Sequence, residues 1–72
     1  MKKSVMDKLI GKYCKIVTKE PGEENAHVFF GVITEIDHDA GFLGIESSKG
    51  PGCLNLNIIK AIKPRKKEES IQ

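Results

Sequence analysis

The segment Asp37-His38-Asp39-Ala40-Gly41 places two carboxylates around an imidazole, which are donor types that hold a divalent cation. Three consecutive side chains in a tight turn do not easily converge on one ion. The same residues also suit a plain connection, because Asp caps backbone N–H groups and Gly41 takes positive φ at little steric cost. Cys14, His27, His38 and Cys53 supply the ligand types of a tetrahedral zinc site. They stand singly, without the paired CxxC spacing by which zinc modules are read. A Cys–His nucleophile would need an exposed thiol beside a basic group, whereas Cys14 falls on the core side of an alternating stretch. No glycine-rich loop leads into a helix, as a phosphate cradle requires, since Gly50-Pro51-Gly52 runs into a strand pattern. The chain therefore reads as a non-enzyme with no metal and no cofactor.

Binding chemistry is better represented. Residues 1–59 carry a net charge of −1 and residues 60–72 a net charge of +3, so the basicity is local, in Lys60, Lys63, Arg65, Lys66 and Lys67. Such a run holds phosphates through counterion release, or serves only as a solvated terminus. Single-stranded RNA readers combine cations with planar groups, and the planar groups here are Tyr13, Phe29 and His38. Glu23 and Glu24 would repel phosphate from one face.

These residues must be positioned by short elements. Ser4-Val5-Met6-Asp7-Lys8-Leu9-Ile10 reads as an amphipathic helix capped by Ser4, with Asp7 in the first turn and Gly11 as its stop. Its apolar face, Val5, Met6, Leu9 and Ile10, would cover an open end of the fold. From Tyr13 the period changes to two, with Cys14, Ile16 and Thr18 alternating against Tyr13, Lys15 and Val17. Glu20-Pro21-Gly22-Glu23-Glu24 breaks the pattern as an exposed turn. A second strand spans about His27 to Ile36, apolar on both sides and thus expected to be buried on both faces for part of its length. Gly31 within it marks a sharp bend or a close strand crossing. The turn at Asp37–Gly41 leads to a strand at Phe42–Ser47. Ser48-Lys49-Gly50-Pro51-Gly52 reads as the next connection, Cys53–Asn57 as a fourth strand, and Ile58–Lys63 as a last strand ending at Pro64.

Five short strands after one helix, in a chain of 72 residues, close economically as one bent sheet or barrel. A single domain over residues 1–63 is expected, followed by a basic tail at 64–72. So small a core gains from a partner subunit. The longest apolar run is far short of the ~20 residues a bilayer-spanning helix needs. Two cysteines without disulfide-framework spacing, and no secretory leader pattern, point to a reducing cytoplasm.

The order of elements, with Gly31, Ile33 and Asp37 at matching spacing, resembles the Sm and Sm-like protein family. In that family's first motif Ala40 would take a hydrophobic position, and Gly41 stands where Asn is usual. The second motif would fall on Leu54, Asn57, Ile59 and Ile62, with Asn55 and Leu56 in place of Arg-Gly. The resemblance implies a strongly bent Sm-like small barrel, assembly into rings by strand-edge pairing, and RNA binding near Asp37, His38, Asn55 and Asn57. His38 would stack on a base and Asn55 would bond its edge in place of the family's missing Asn and Arg. The last strand, with Ile58, Ile59, Ala61 and Ile62, would be the pairing edge, unless these isoleucines only complete the core. The same phrase, Gly31 to Ser47, also resembles the SH3-like small barrels such as the C-terminal module of biotin ligases. The expectation is a mainly β, Sm-like or SH3-like small barrel that is RNA-associated without the Sm family's standard uridine pocket, and homo-oligomeric. The alternative is a protein-interaction or oligomerisation module with no nucleic-acid role.

Overall fold

The structure is a computed structural model that describes residues 3–66, with side chains from Val5 onward. A helix, α1 (Lys3–Asp7), precedes strands β1 (Tyr13–Thr18), β2 (His27–Asp37), β3 (Phe42–Ser47), β4 (Gly50–Asn55) and β5 (Ile59–Pro64). A 3-10 turn at Leu56–Ile58 joins the last two strands. All neighbouring strands pair antiparallel in the order β4-β3-β2-β1-β5. The expected mainly β class and the count of one helix and five strands are observed. No ladder joins β4 to β5, so backbone pairing leaves the sheet open. Among the described residues no helix is long and apolar enough to cross a membrane.

The two-residue period of β1 is realised as expected. Cys14, Ile16 and Thr18 are buried, and Tyr13, Lys15 and Val17 are half-buried on the other face. The core consists of Met6, Cys14, Ile16, Ile33, Leu43, Ile45 and Ile62, with Leu9, Ile36, Leu54, Leu56 and Ile59 packed against it. Ile62 and Ile59 of β5 thus complete the core, although β5 is also an outer strand of the sheet.

The helix is shorter than its sequence pattern. Lys8, Leu9 and Ile10 donate to the carbonyls three residues back, at Val5, Met6 and Asp7, which tightens the chain out of α geometry. Gly11 N–H then donates to Ile33 O at 2.7 Å, and Ile33 N–H donates to Lys12 O at 3.2 Å. Bridging to β2 captures the chain before a further helical turn forms. Met6 is buried and Leu9 packs on the core, but Val5 and Ile10 remain exposed. Ser4 lies inside the helix bounds, and the cap expected of its side chain falls outside the described side chains.

Strand β2 departs most from its expected burial. Its first half, His27 to Phe30, is exposed, and only Gly31 and Ile33 are fully buried. Its two halves have different partners. Residues His27 to Val32 pair with β1, whereas Val32 to Asp37 pair with β3. A bulge between Ile33 and Glu35 inserts one residue and shifts the phase. Ile36 therefore joins Ile33 on the core side, although strict alternation assigns them to opposite faces. Gly31 marks a close crossing, as expected: a Cβ there would lie 2.6 Å from Glu46 O and 2.8 Å from Ile45 Cγ1.

Gly50-Pro51-Gly52 belongs to β4 rather than to a connection, paired with Ser47, Glu46 and Ile45. Proline is tolerated there because β4 is an outer strand whose second side needs no donor. The expected connection thus shortens to its first two residues, Ser48-Lys49, where Ser47 Oγ accepts from Lys49 N–H at 3.1 Å. The alternation of Leu54 and Leu56 is likewise broken, since Leu56 starts the 3-10 turn instead of continuing the strand.

Candidate nucleic-acid interface

The register assigns side chains to faces, because residues directly opposite in a ladder project to the same side. Phe30, Lys15 and Lys63 form one row across β2, β1 and β5. Val28, Val17 and Ala61 form the row beside it, and Tyr13 with Val32 the row on the other side. These rows make up the face opposite the core. On it the Tyr13 and Phe30 rings stack with centroids 6.5 Å apart and planes inclined by 22°. The Arg65 guanidinium carbon lies 5.7 Å from the Phe30 ring centroid, within cation–π range.

Arg65 is brought there by the sheet, since its N–H donates to Tyr13 O at 2.8 Å, one residue past the end of β5. Lys12, Tyr13, Pro64, Arg65 and Lys66 line an open cleft of about 460 Å³. Lys15 and Lys63 thus share the face of the stacked aromatic pair, and Lys12, Arg65 and Lys66 line the cleft beside it. The nearest acid by register is Glu46, opposite Val32. Strand β5 ends at Pro64, and Pro64, Arg65 and Lys66 belong to this cleft.

The residues singled out in the sequence divide into two groups. Asp37, Phe42 and Asn55 form a row across β2, β3 and β4, and Leu56 N–H donates to Gly41 O at 2.9 Å. This corner brings Asp37 and Asn55 into one row, with a side-chain oxygen of each engaged in a local bond, and Asn57 follows two residues on. Asp37 Oδ1 accepts from Ala40 N–H at 2.9 Å, and Asn55 Oδ1 accepts from Asn57 N–H at 2.9 Å. Gly41 has φ +83° and its N–H donates to Asp37 O at 2.8 Å, the turn geometry read from the sequence. His38 turns towards α1, with Nε2 2.8 Å from Asp7 Oδ1.

The second group is cationic. Lys63, Arg65 and Lys66 lie on or beside β5 at the end near Tyr13, and Lys60 lies towards the other end of that strand. Lys67 is outside the described residues. Phe29 stands in the core-side row with Ile16 and Ile62, away from the Tyr13 ring.

The sequence reading missed Phe30, Lys12 and Lys15. The signal was present in the two-residue alternation, which puts Phe30 and Lys15 on the same side as Tyr13 once β1 and β2 are paired. Cys14 is buried and Cys53 exposed. Among the described residues no three His, Cys, Asp or Glu side chains converge as a metal site would require. Comparison with protein-family models, with curated proteins and with solved structures finds no match for this chain.

Proposed function

We propose that this chain is a non-enzymatic, Sm-like or SH3-like small-barrel protein that binds single-stranded RNA on the sheet face bearing Tyr13 and Phe30. The observation that carries the reading is the stacked Tyr13–Phe30 pair with the Arg65 guanidinium over it. Bases stack on aromatic faces regardless of sequence, while cations track the phosphates, so such a platform favours single strands over a particular sequence. The Asp37–Gly41 corner then serves the fold, and the base contacts that the Sm-like resemblance implies near Asp37, His38, Asn55 and Asn57 give way to the cationic face.

The test is fluorescence anisotropy with a labelled single-stranded RNA of mixed sequence at low salt, repeated in rising salt. Tyr13→Ala should weaken binding about 5- to 100-fold, as loss of one stacked base contact does. Arg65→Ala should weaken it and reduce the salt slope by about 0.7. His38→Ala should leave it within about twofold. If His38→Ala removes binding while Tyr13→Ala does not, the corner is the site and the outer face is not. If wild type binds no RNA at low salt, the interaction-module reading takes its place.

A further inference from the structure

Among the described residues, the first half of β2 has an open side. Residues His27 to Gly31 pair with β1, but the β3 ladder reaches only Val32↔Glu46. The next β3 residue, Ser47, pairs with Gly50 of β4 instead. Ile33 exchanges its backbone bonds with the Gly11-Lys12 segment leading into β1, so by strand alternation residues 29 and 31 also face β1. Val28 and Phe30 therefore turn their N–H and C=O groups to the open side. Around this notch the side chains are apolar and exposed: Val28 is 48%, Phe29 39% and Phe30 42% accessible. A groove of about 240 Å³ runs between them and Ile45 with the Ser47–Lys49 turn.

The other free edges of the sheet are guarded and this one is not. The β4 edge carries Pro51 between two glycines, and the β5 edge carries Lys60, Lys63 and Pro64. Lysine and proline are the residues that ordinarily deter edge-to-edge pairing. The Val28-Phe29-Phe30 edge has no charge, no proline and no bulge against β1.

From this contrast we infer that the open half of β2 is the docking edge for a second copy of the same chain, paired antiparallel about a two-fold axis at Phe29. The register is self-complementary. Centred on Phe29, Val28 of one copy faces Phe30 of the other, and this is the pair that exchanges both backbone bonds, because both residues point their polar groups outward. Two such pairs give four hydrogen bonds. The side chains then meet as two Val–Phe pairs on the outer face and a Phe29–Phe29 pair on the core side. The only ionisable side chain in residues 27–31, His27, falls opposite Gly31 of the other copy, so no like charges are apposed. Such an interface is isologous and closes on itself as a dimer. It also joins the two outer faces into one continuous sheet surface, although the pairing stands independently of RNA binding.

The experiment uses the whole chain with no nucleic acid present. Light scattering across a rising concentration series should show the solution mass climbing to twice the 8.0 kDa of one chain. Val28→Pro removes an N–H that faces the open side and plays no part in the β1 ladder, and should return the mass to that of one chain with the circular dichroism of a folded sheet. Independently, Phe29→Cys in a Cys53→Ser background should form an intermolecular disulfide readily when a mild thiol oxidant such as oxidised glutathione is added to take up the two electrons. Non-hydrogen-bonded antiparallel partners have Cα atoms about 4.5 Å apart, inside the range a disulfide spans. A mass that stays at one chain throughout overturns the inference. So does cross-linking of Phe29→Cys no faster than that of Lys60→Cys on the β5 edge, which would move any association to another surface.

Discussion

Cys14 shows how one side chain reports the quality of the core. It has no accessible surface, and its Sγ donates to Lys12 O at 3.5 Å. Burial pushes its thiol above the ordinary value near 9.0, with the neighbouring Lys12 charge pulling weakly the other way. The unfolded thiol loses its proton near the ordinary value while the folded one keeps it. Above that pH the unfolded state binds fewer protons, and by linkage stability falls as pH rises. The stability tied to the protonated thiol is thus fully present at neutral pH and is lost as pH climbs through the raised folded value. Urea unfolding of wild type and Cys14→Ala should give a constant difference in stability below pH 8. That difference should shrink above about pH 9 as the wild type alone loses the thiol contribution. A difference that stays constant to pH 10.5 would mean that the thiol reaches solvent.

At the scale of elements, the controlling feature is the crossing of β2 and β3. The bulge at Thr34 and the absence of a side chain at Gly31 together let β2 leave β1 and continue along β3. Gly31→Ala would drive a Cβ to 2.6 Å from the backbone oxygen of Glu46, which can yield only if the strand moves. Gly44→Ala would place its Cβ 2.6 Å from Thr34 Oγ1, but Thr34 is exposed and its hydroxyl can rotate away. Overpacking against fixed atoms costs about 1–3 kcal/mol. Gly31→Ala should therefore cost about 2 kcal/mol or more, and Gly44→Ala less than about 1 kcal/mol, in denaturant titrations at neutral pH. Equal costs would show that the two strands slide past each other freely at the crossing.

For the molecule as a whole, the distribution of charge matters more than its sum. Residues 67–72 hold Lys67 against Glu68 and Glu69, so removing them takes away a net charge of −1. If RNA lies on the Tyr13–Phe30 face, a chain ending at Lys66 should bind at least as tightly as the full chain in the same anisotropy titration. A loss of more than about tenfold would put the affinity in the tail and not on the sheet. Cutting before Pro64 is a different experiment, because it also removes Arg65 and its bond to Tyr13 O. The same balance argues for assembly by the apolar β2 edge over the lysine-bearing β5 edge.

The local patterns in this sequence determined the elements. The alternation of Cys14, Ile16 and Thr18, the turn chemistry of Asp37 and Gly41, and the breaks at Pro21 and Gly22 each act within a few residues, where period and dihedral preference suffice. The remaining features come from contacts between segments distant in the chain. The helix ends early because Gly11 bonds to Ile33, a partner distant in sequence. The strand pattern of β2 resolves into a half paired with β3 and a half left open on that side because β3 leaves it at Val32, and Gly50-Pro51-Gly52 becomes a strand because it lies at a sheet edge. The candidate interface has the same origin. Tyr13, Phe30 and Arg65 are separated along the chain, and it is the antiparallel register of three strands that stacks one ring on another and lays a guanidinium over the Phe30 ring. Local propensity carries no information about which strand pairs with which, since pairing is set by burial and by backbone groups that must find partners across the sheet.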